Sequence, residues 1–143
     1  MNSQPYLDLQ EKHRKELSEF PIAYAFNGAQ LKDAIEKLGA TRSEVTTLGY
    51  GTVIKKTDIP AFEELMANHK KELDEAMQDE EFAEAAFLYE MDNHEYAINW
   101  SGDEDVFSCF GLTEEKLKER GLENAYRRAR NAHVRHAQEW EMI

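Results

Sequence analysis

The stretch YEMDNHEYAINWSGDEDVFSCFG, residues 89–111, holds the chain's one cysteine, Cys109, together with His94 and six carboxylates. A thiol near an imidazole is the starting point for nucleophilic catalysis, provided the base lies within hydrogen-bond reach of the sulfur. Imidazoles and carboxylates are also metal ligands. Here Glu90, Asp92, His94 and Glu95 cluster, and His133 and His136 are spaced i, i+3 so that one helix face presents both. Two histidines alone do not make a site. The chain has no H-E-x-x-H and no C-x-x-C, and the acidic run Asp103-Glu104-Asp105 lacks the EF-hand pattern with its distal Glu. Gly49-Tyr50-Gly51 begins a G-x-G, but Ile54 stands where a third glycine is needed, so dinucleotide binding is not expected.

Whether Cys109 and His94 meet depends on the element that carries them. EYAINW alternates apolar and polar residues, SGDED is a polar run containing a glycine, and VFSCF is β-prone. The pattern predicts a hairpin over 95–110, with Trp100 and Val106 flanking the loop and with Tyr96, Ile98, Trp100, Val106 and Phe110 on one face. His94 then shares parity with Tyr96, while Cys109 lies opposite Ala97. The two point to opposite sides of the sheet unless the register slips by one residue. On this reading Cys109 is a small hydrophobe in a strand. No catalytic residue, metal ligand or cofactor is expected.

The remaining elements follow from periodicity. Residues 6–20 form a helix with Leu9, His13, Leu17 and Phe20 in a stripe, and PIAYAF (21–26) is a strand. AQLKDAIEKLG is a short helix with Leu31, Ala34, Ile35 and Leu38 inward and Gly39 at its C-cap. EVTTLGYGTVIKK (44–56) is β-rich, with Gly49 and Gly51 at a tight turn or bulge. Thr57 or Asp58 caps a helix reaching about Met77, with Phe62, Met66, His69, Leu73 and Met77 along one face. His13 and His69 sit in apolar stripes, as hydrogen-bonded core histidines do. Asp79 caps a further helix that packs Phe82, Ala86 and Tyr89. Thr113 caps a short helix ending near Gly121. A last helix, about 122–141, carries Leu122, Ala125, Ala129, Ala132, His136 and Trp140 on one side.

The order α-β-α-β-α-α-β-β-α-α predicts an α+β fold, a mostly antiparallel sheet of about four strands covered by helices. At 143 residues, with no repeat, low-complexity tract or Pro/Gly/Ser linker, a single domain over 1–143 is expected. A hydrophobic fraction of 41% is enough for a core, and the 32% of charged residues are interleaved with apolar ones. One cysteine excludes an internal disulfide. The first twenty residues contain no apolar run of the secretory kind, and no segment approaches a membrane span. These features predict a soluble cytoplasmic protein.

Charge placement says more than the total of −12. Residues 1–57 carry +1, residues 58–123 carry −15 and residues 124–143 carry +2, and ELDEAMQDEEFAE (72–84) has seven acids and no base. Such a field repels nucleic acid and anionic membranes and attracts basic surfaces. Arg127, Arg128, Arg130 and Arg135 of the last helix read as a solvated face that pairs with the acidic block, not as a phosphate site. Carboxylates on successive helix turns can imitate spaced phosphates. The candidate partner-binding set is Glu72, Asp74, Glu75, Asp79, Glu80, Glu81, Glu84, Glu90, Asp92 and Glu95, with Asp103, Glu104 and Asp105 of the loop. A purely solubilising role is the competing reading.

FPIAYAFNGAQLKDAIEKLGA, FLYEMDNHEYAINW and CFGLTEE together resemble a family of small acidic proteins from Firmicutes, their phages and mobile elements. The resemblance names no activity. It implies a setting in which small acidic proteins inhibit host defence, including anti-CRISPR and anti-restriction inhibitors. The expected function is therefore a non-enzymatic inhibitor whose acidic face occupies a basic groove of a nucleic-acid-handling protein, with no direct nucleic-acid binding. The alternatives are a small enzyme or metal-dependent protein centred on residues 90–109, and a regulatory module. Tyr96, Trp100 and Phe110 also suggest an apolar patch for homodimer formation.

Overall fold

The computed structural model describes residues 2–94 and 100–141. The fold is α+β. The helices are α1 (Gln4–Glu19), α2 (Gly28–Lys37), α3 (Ile59–Ala76), α4 (Glu80–Asn93), α5 (Trp100–Cys109), α6 (Glu114–Glu119) and α7 (Glu123–Glu141), and the strands are β1 (Ile22–Tyr24), β2 (Val45–Thr47) and β3 (Thr52–Lys55). The sheet among the described residues has three strands, where about four were expected. The chain divides into two compact units, residues 11–70 and residues 1–10 with 71–143. No described helix is long and apolar enough to cross a membrane.

Residues 11–70 contain the antiparallel sheet, in the order β1-β3-β2, with Ala23 opposite Val53 and Thr47 opposite Val53 from the other side. Ala23, Val45 and Val53 share a face with Ala34, and Leu31, Ile35 and Leu38 of α2 pack against them, as the helix pattern predicts. Asn27 caps α2 by accepting a hydrogen bond from the Gln30 amide. The rings of His13 and His69 stack at 4.0 Å, and Phe20 meets Phe62 edge-on at 5.6 Å.

The β-rich segment 44–56 resolves into two strands joined by a turn at Gly49, Tyr50 and Gly51, all with positive φ. At Gly51 a Cβ would lie 2.6 Å from the exposed Phe26 ring, which can swing aside, and 3.0 Å from the Ala25 carbonyl oxygen, which cannot, so the positive φ and this backbone contact together disfavour a side chain. Gly51→Ala is expected to destabilise the protein by about 1–3 kcal/mol. A denaturant midpoint unchanged from wild type would contradict this.

In the other unit, α4 is the buried helix. Ala83, Ala86, Phe87 and Met91 are fully inaccessible, and Ala125, Ala129 and Ala132 of α7 supply small residues to the same core. Two apolar faces with alanine at the contact let the helix axes approach closely. Phe87, Phe110 and Tyr126 form an edge-to-face cluster, with ring centroids 5.0 and 5.1 Å apart. Asp79 caps α4 through the amides of Glu81 and Phe82, and Thr113 caps α6, as predicted.

The hairpin expected over 95–110 is not formed. Residues 100–109 are helical, and the strand half at 95–99, with Tyr96, Ala97 and Ile98, lies outside the described residues. The apolar positions Val106, Phe107 and Phe110 belong to one helical face, with Val106 and Phe110 buried. Asp103 stands in the first turn of α5, where a carboxylate favours the helix dipole. The helix ends at Gly111, with φ of 60° and paired bonds from Leu112 N to Phe107 O and from Gly111 N to Ser108 O. With Phe110 only 2% exposed, the apolar surface patch inferred for self-association loses that residue.

Candidate functional site

The last turn of α4 and the last residue of α5 bring together side chains that the hairpin reading had separated. His94 is the residue that caps the C-terminal end of α4, four after Glu90, and its amide bonds the Glu90 carbonyl, so the two side chains lie on one side, with His94 Nε2 3.1 Å from Glu90 Oε2. The Cys109 thiol lies 3.5 Å from the same Oε2 and 3.6 Å from the same Nε2. The expectation that Cys109 and His94 face opposite ways is therefore wrong, because it assumed strand parity for a helical segment.

From the far side, the Tyr6 hydroxyl donates to Glu90 Oε1 at 2.6 Å. Gln10 Nε2 donates to the Tyr6 oxygen at 2.8 Å and reaches Oε1 at 3.4 Å. Glu90 is 5% exposed and His94 is open to solvent. Burial, then the hydrogen bond to Glu90, raises the Tyr6 hydroxyl above its usual range. Burial, then the charge of Glu90, pushes the Cys109 thiol up to about 12.

This is not a catalytic triad. A Cys–His–Glu relay needs the thiol on one ring nitrogen and the carboxylate on the other. Here both meet Nε2, and burial together with the carboxylate holds the thiol protonated instead of activating it. What the three atoms do share is convergence: a sulfur, a nitrogen and an oxygen, each a metal-ligand type, all lie within 4.8 Å of one another.

The acidic block is divided by the fold. Glu90 is interior and cannot face an external partner, which removes it from the binding set. Asp92 holds two imidazoles of α7, His133 Nδ1 at 2.6 Å on one oxygen and His136 Nδ1 at 3.1 Å on the other. His133 and His136 therefore meet a carboxylate outside the Glu90 cluster. Arg120 pairs with Asp74 at 3.0 Å, and Arg128 lies 3.6 Å from Glu80 and 3.3 Å from Glu84. Among the described residues, the expected pairing of arginines with the acidic block is seen for Arg128 of the four named arginines, with Arg120 in addition. Asp103 accepts from the Tyr126 hydroxyl at 2.6 Å, and Glu72 is half-buried. Glu75, Asp79, Glu80, Glu81, Glu104 and Asp105 are exposed, and Glu95 lies outside the described residues. An open groove lined by Asn2, Pro5, Asp79, Glu81, Phe82 and Glu84 runs beside the start of α4.

One feature had no warning in the sequence pattern. Tyr24, Phe26, Leu48 and Tyr50 are exposed, Tyr50 to 98% at the positive-φ turn.

Fold and site together define a small acidic α+β protein with a Glu–His–Cys cluster in its helical unit. Residues 5–132 match the model of the family described as "Family of unknown function (DUF7659)", and the chain belongs to that family. No curated protein and no solved structure matches the chain.

Proposed function

We propose that this is a non-enzymatic cytoplasmic binding protein, an inhibitor of the anti-CRISPR or anti-restriction type, whose acidic face occupies a basic groove of a nucleic-acid-handling protein. The observation that carries the reading is the groove at the start of α4, rimmed by Asp79, Glu81 and Glu84. There the local negative charge is presented in concave form, and Glu75 and Glu80 are exposed on the same stretch of chain. A field of this sign speeds encounter with a basic partner and weakens steeply with salt.

The test follows labelled DNA bound to a guide-loaded CRISPR effector or a restriction endonuclease, with this protein added over a salt series. Displacement that fades with rising salt supports the reading, as does its loss in Glu75→Lys/Glu81→Lys. These two carboxylates are chosen because reversal at Asp74, Glu80 or Glu84 would also break contacts with Arg120 or Arg128. No displacement by the wild type, or equal displacement by the double variant, overturns it.

A further inference from the structure

We propose that Glu90, His94 and Cys109 bind a single divalent transition-metal ion of the zinc class. The inference stands on different residues from the acidic face and does not depend on it. Its first support is geometric. A tetrahedral zinc ion has metal–ligand distances of about 2.3 Å to sulfur, 2.0–2.1 Å to nitrogen and 2.0–2.2 Å to oxygen, which place the ligand atoms about 3.4–3.6 Å apart. The observed edges are 3.6 Å for sulfur to nitrogen, 3.5 Å for sulfur to oxygen and 3.1 Å for nitrogen to oxygen. The two sulfur edges match one face of that tetrahedron, and the nitrogen–oxygen edge has only to open by about 0.3 Å, which the exposed His94 ring can supply.

The second support is the arrangement behind the ligands. Glu90 uses Oε1 for Tyr6 and Gln10, which fixes the carboxylate so that Oε2 alone faces the imidazole and the thiol. Ligating carboxylates are held by such outer hydrogen bonds. Charge closes the account. On binding, the Cys109 S–H bond breaks, its proton passes to solvent, and the electron pair on sulfur is donated to the metal. Thiolate and carboxylate together then carry two negative charges against the dication. Sulfur and imidazole favour zinc-like ions over Mg²⁺ or Ca²⁺, which require oxygen ligands. The His94 side chain is 42% exposed, so an ion from solvent can reach the imidazole.

The full chain, stripped with a chelator, is titrated with Co²⁺ and then with Zn²⁺. One equivalent of Co²⁺ should produce sulfur-to-cobalt charge-transfer absorption and the strong visible bands of tetrahedral cobalt, both removed by Zn²⁺. Cys109→Ser should abolish the charge transfer, and His94→Gln should weaken Zn²⁺ binding on the order of 10²-fold or more. Because His94 is exposed, His94→Gln should keep the metal-free melting temperature and decides the matter even if Cys109→Ser fails to fold. His136→Gln, at the neighbouring Asp92 cluster, should leave binding unchanged. The proposal is overturned by absent charge-transfer absorption in the wild type, by full Zn²⁺ affinity in His94→Gln, or by lost affinity in His136→Gln.

Discussion

Phe87→Ala is expected to cost about 3–5 kcal/mol, the range for deleting a fully buried aromatic ring. The side chain is inaccessible and lies edge-on to both Phe110 and Tyr126, so its loss removes two ring contacts and leaves a void bounded by α4, α5 and α7. The alanines of α4 and α7 that permit close approach cannot expand to fill it. At about 2–4 °C per kcal/mol for a chain of this size, the melting temperature should fall by about 6–20 °C. A calorimetric shift under about 2 °C would mean that Phe87 is not the packing centre described here.

The second large effect is chemical. In the metal-free protein Cys109 should react with iodoacetamide at pH 8 roughly 10³-fold more slowly than a free thiol, because only the thiolate attacks and the thiol titrates near 12. The same shift links to stability. The folded state favours the protonated thiol, so its contribution is complete below the unfolded-state value of about 9 and is lost as pH rises from about 9 to 12. The alkaline decline in melting temperature should therefore be shallower in Cys109→Ser. Alkylation as fast as that of a small thiol would show that burial and Glu90 do not hold the thiol protonated.

What could be read from the sequence was what local chemistry decides. The helix around Leu31, Ala34, Ile35 and Leu38, the caps at Asp79 and Thr113, and the small-residue face of α7 each depend on a few neighbouring residues, and each appears as expected. The error at 95–110 also had a local cause. VFSCF satisfies the period of a strand and that of a helix equally well over so short a run, and the glycine in SGDED favoured a loop. The Gly111 termination signal after Phe107 and Phe110 could have decided for the helix. Glu90 was misplaced for a different reason. A carboxylate within a largely apolar helix reads as surface unless its partner is known, and that partner, Tyr6, lies 84 residues away. The convergence of Glu90, His94 and Cys109 inherits both difficulties, since it needs α5 to be a helix and Glu90 to face inward.

That distance along the chain has a kinetic side. Residues 1–10 belong with 71–143, and everything between them forms the other unit. During synthesis the strands of residues 22–55 can pair while the acceptor for Tyr6 has yet to be made, since their contacts are close in sequence. The first ten residues must therefore wait, with Tyr6 in water, until α4 emerges. Closing so long a loop costs entropy before the buried carboxylate repays it. Refolding should accordingly be ordered, with the sheet early and the seating of the amino-terminal segment among the last events.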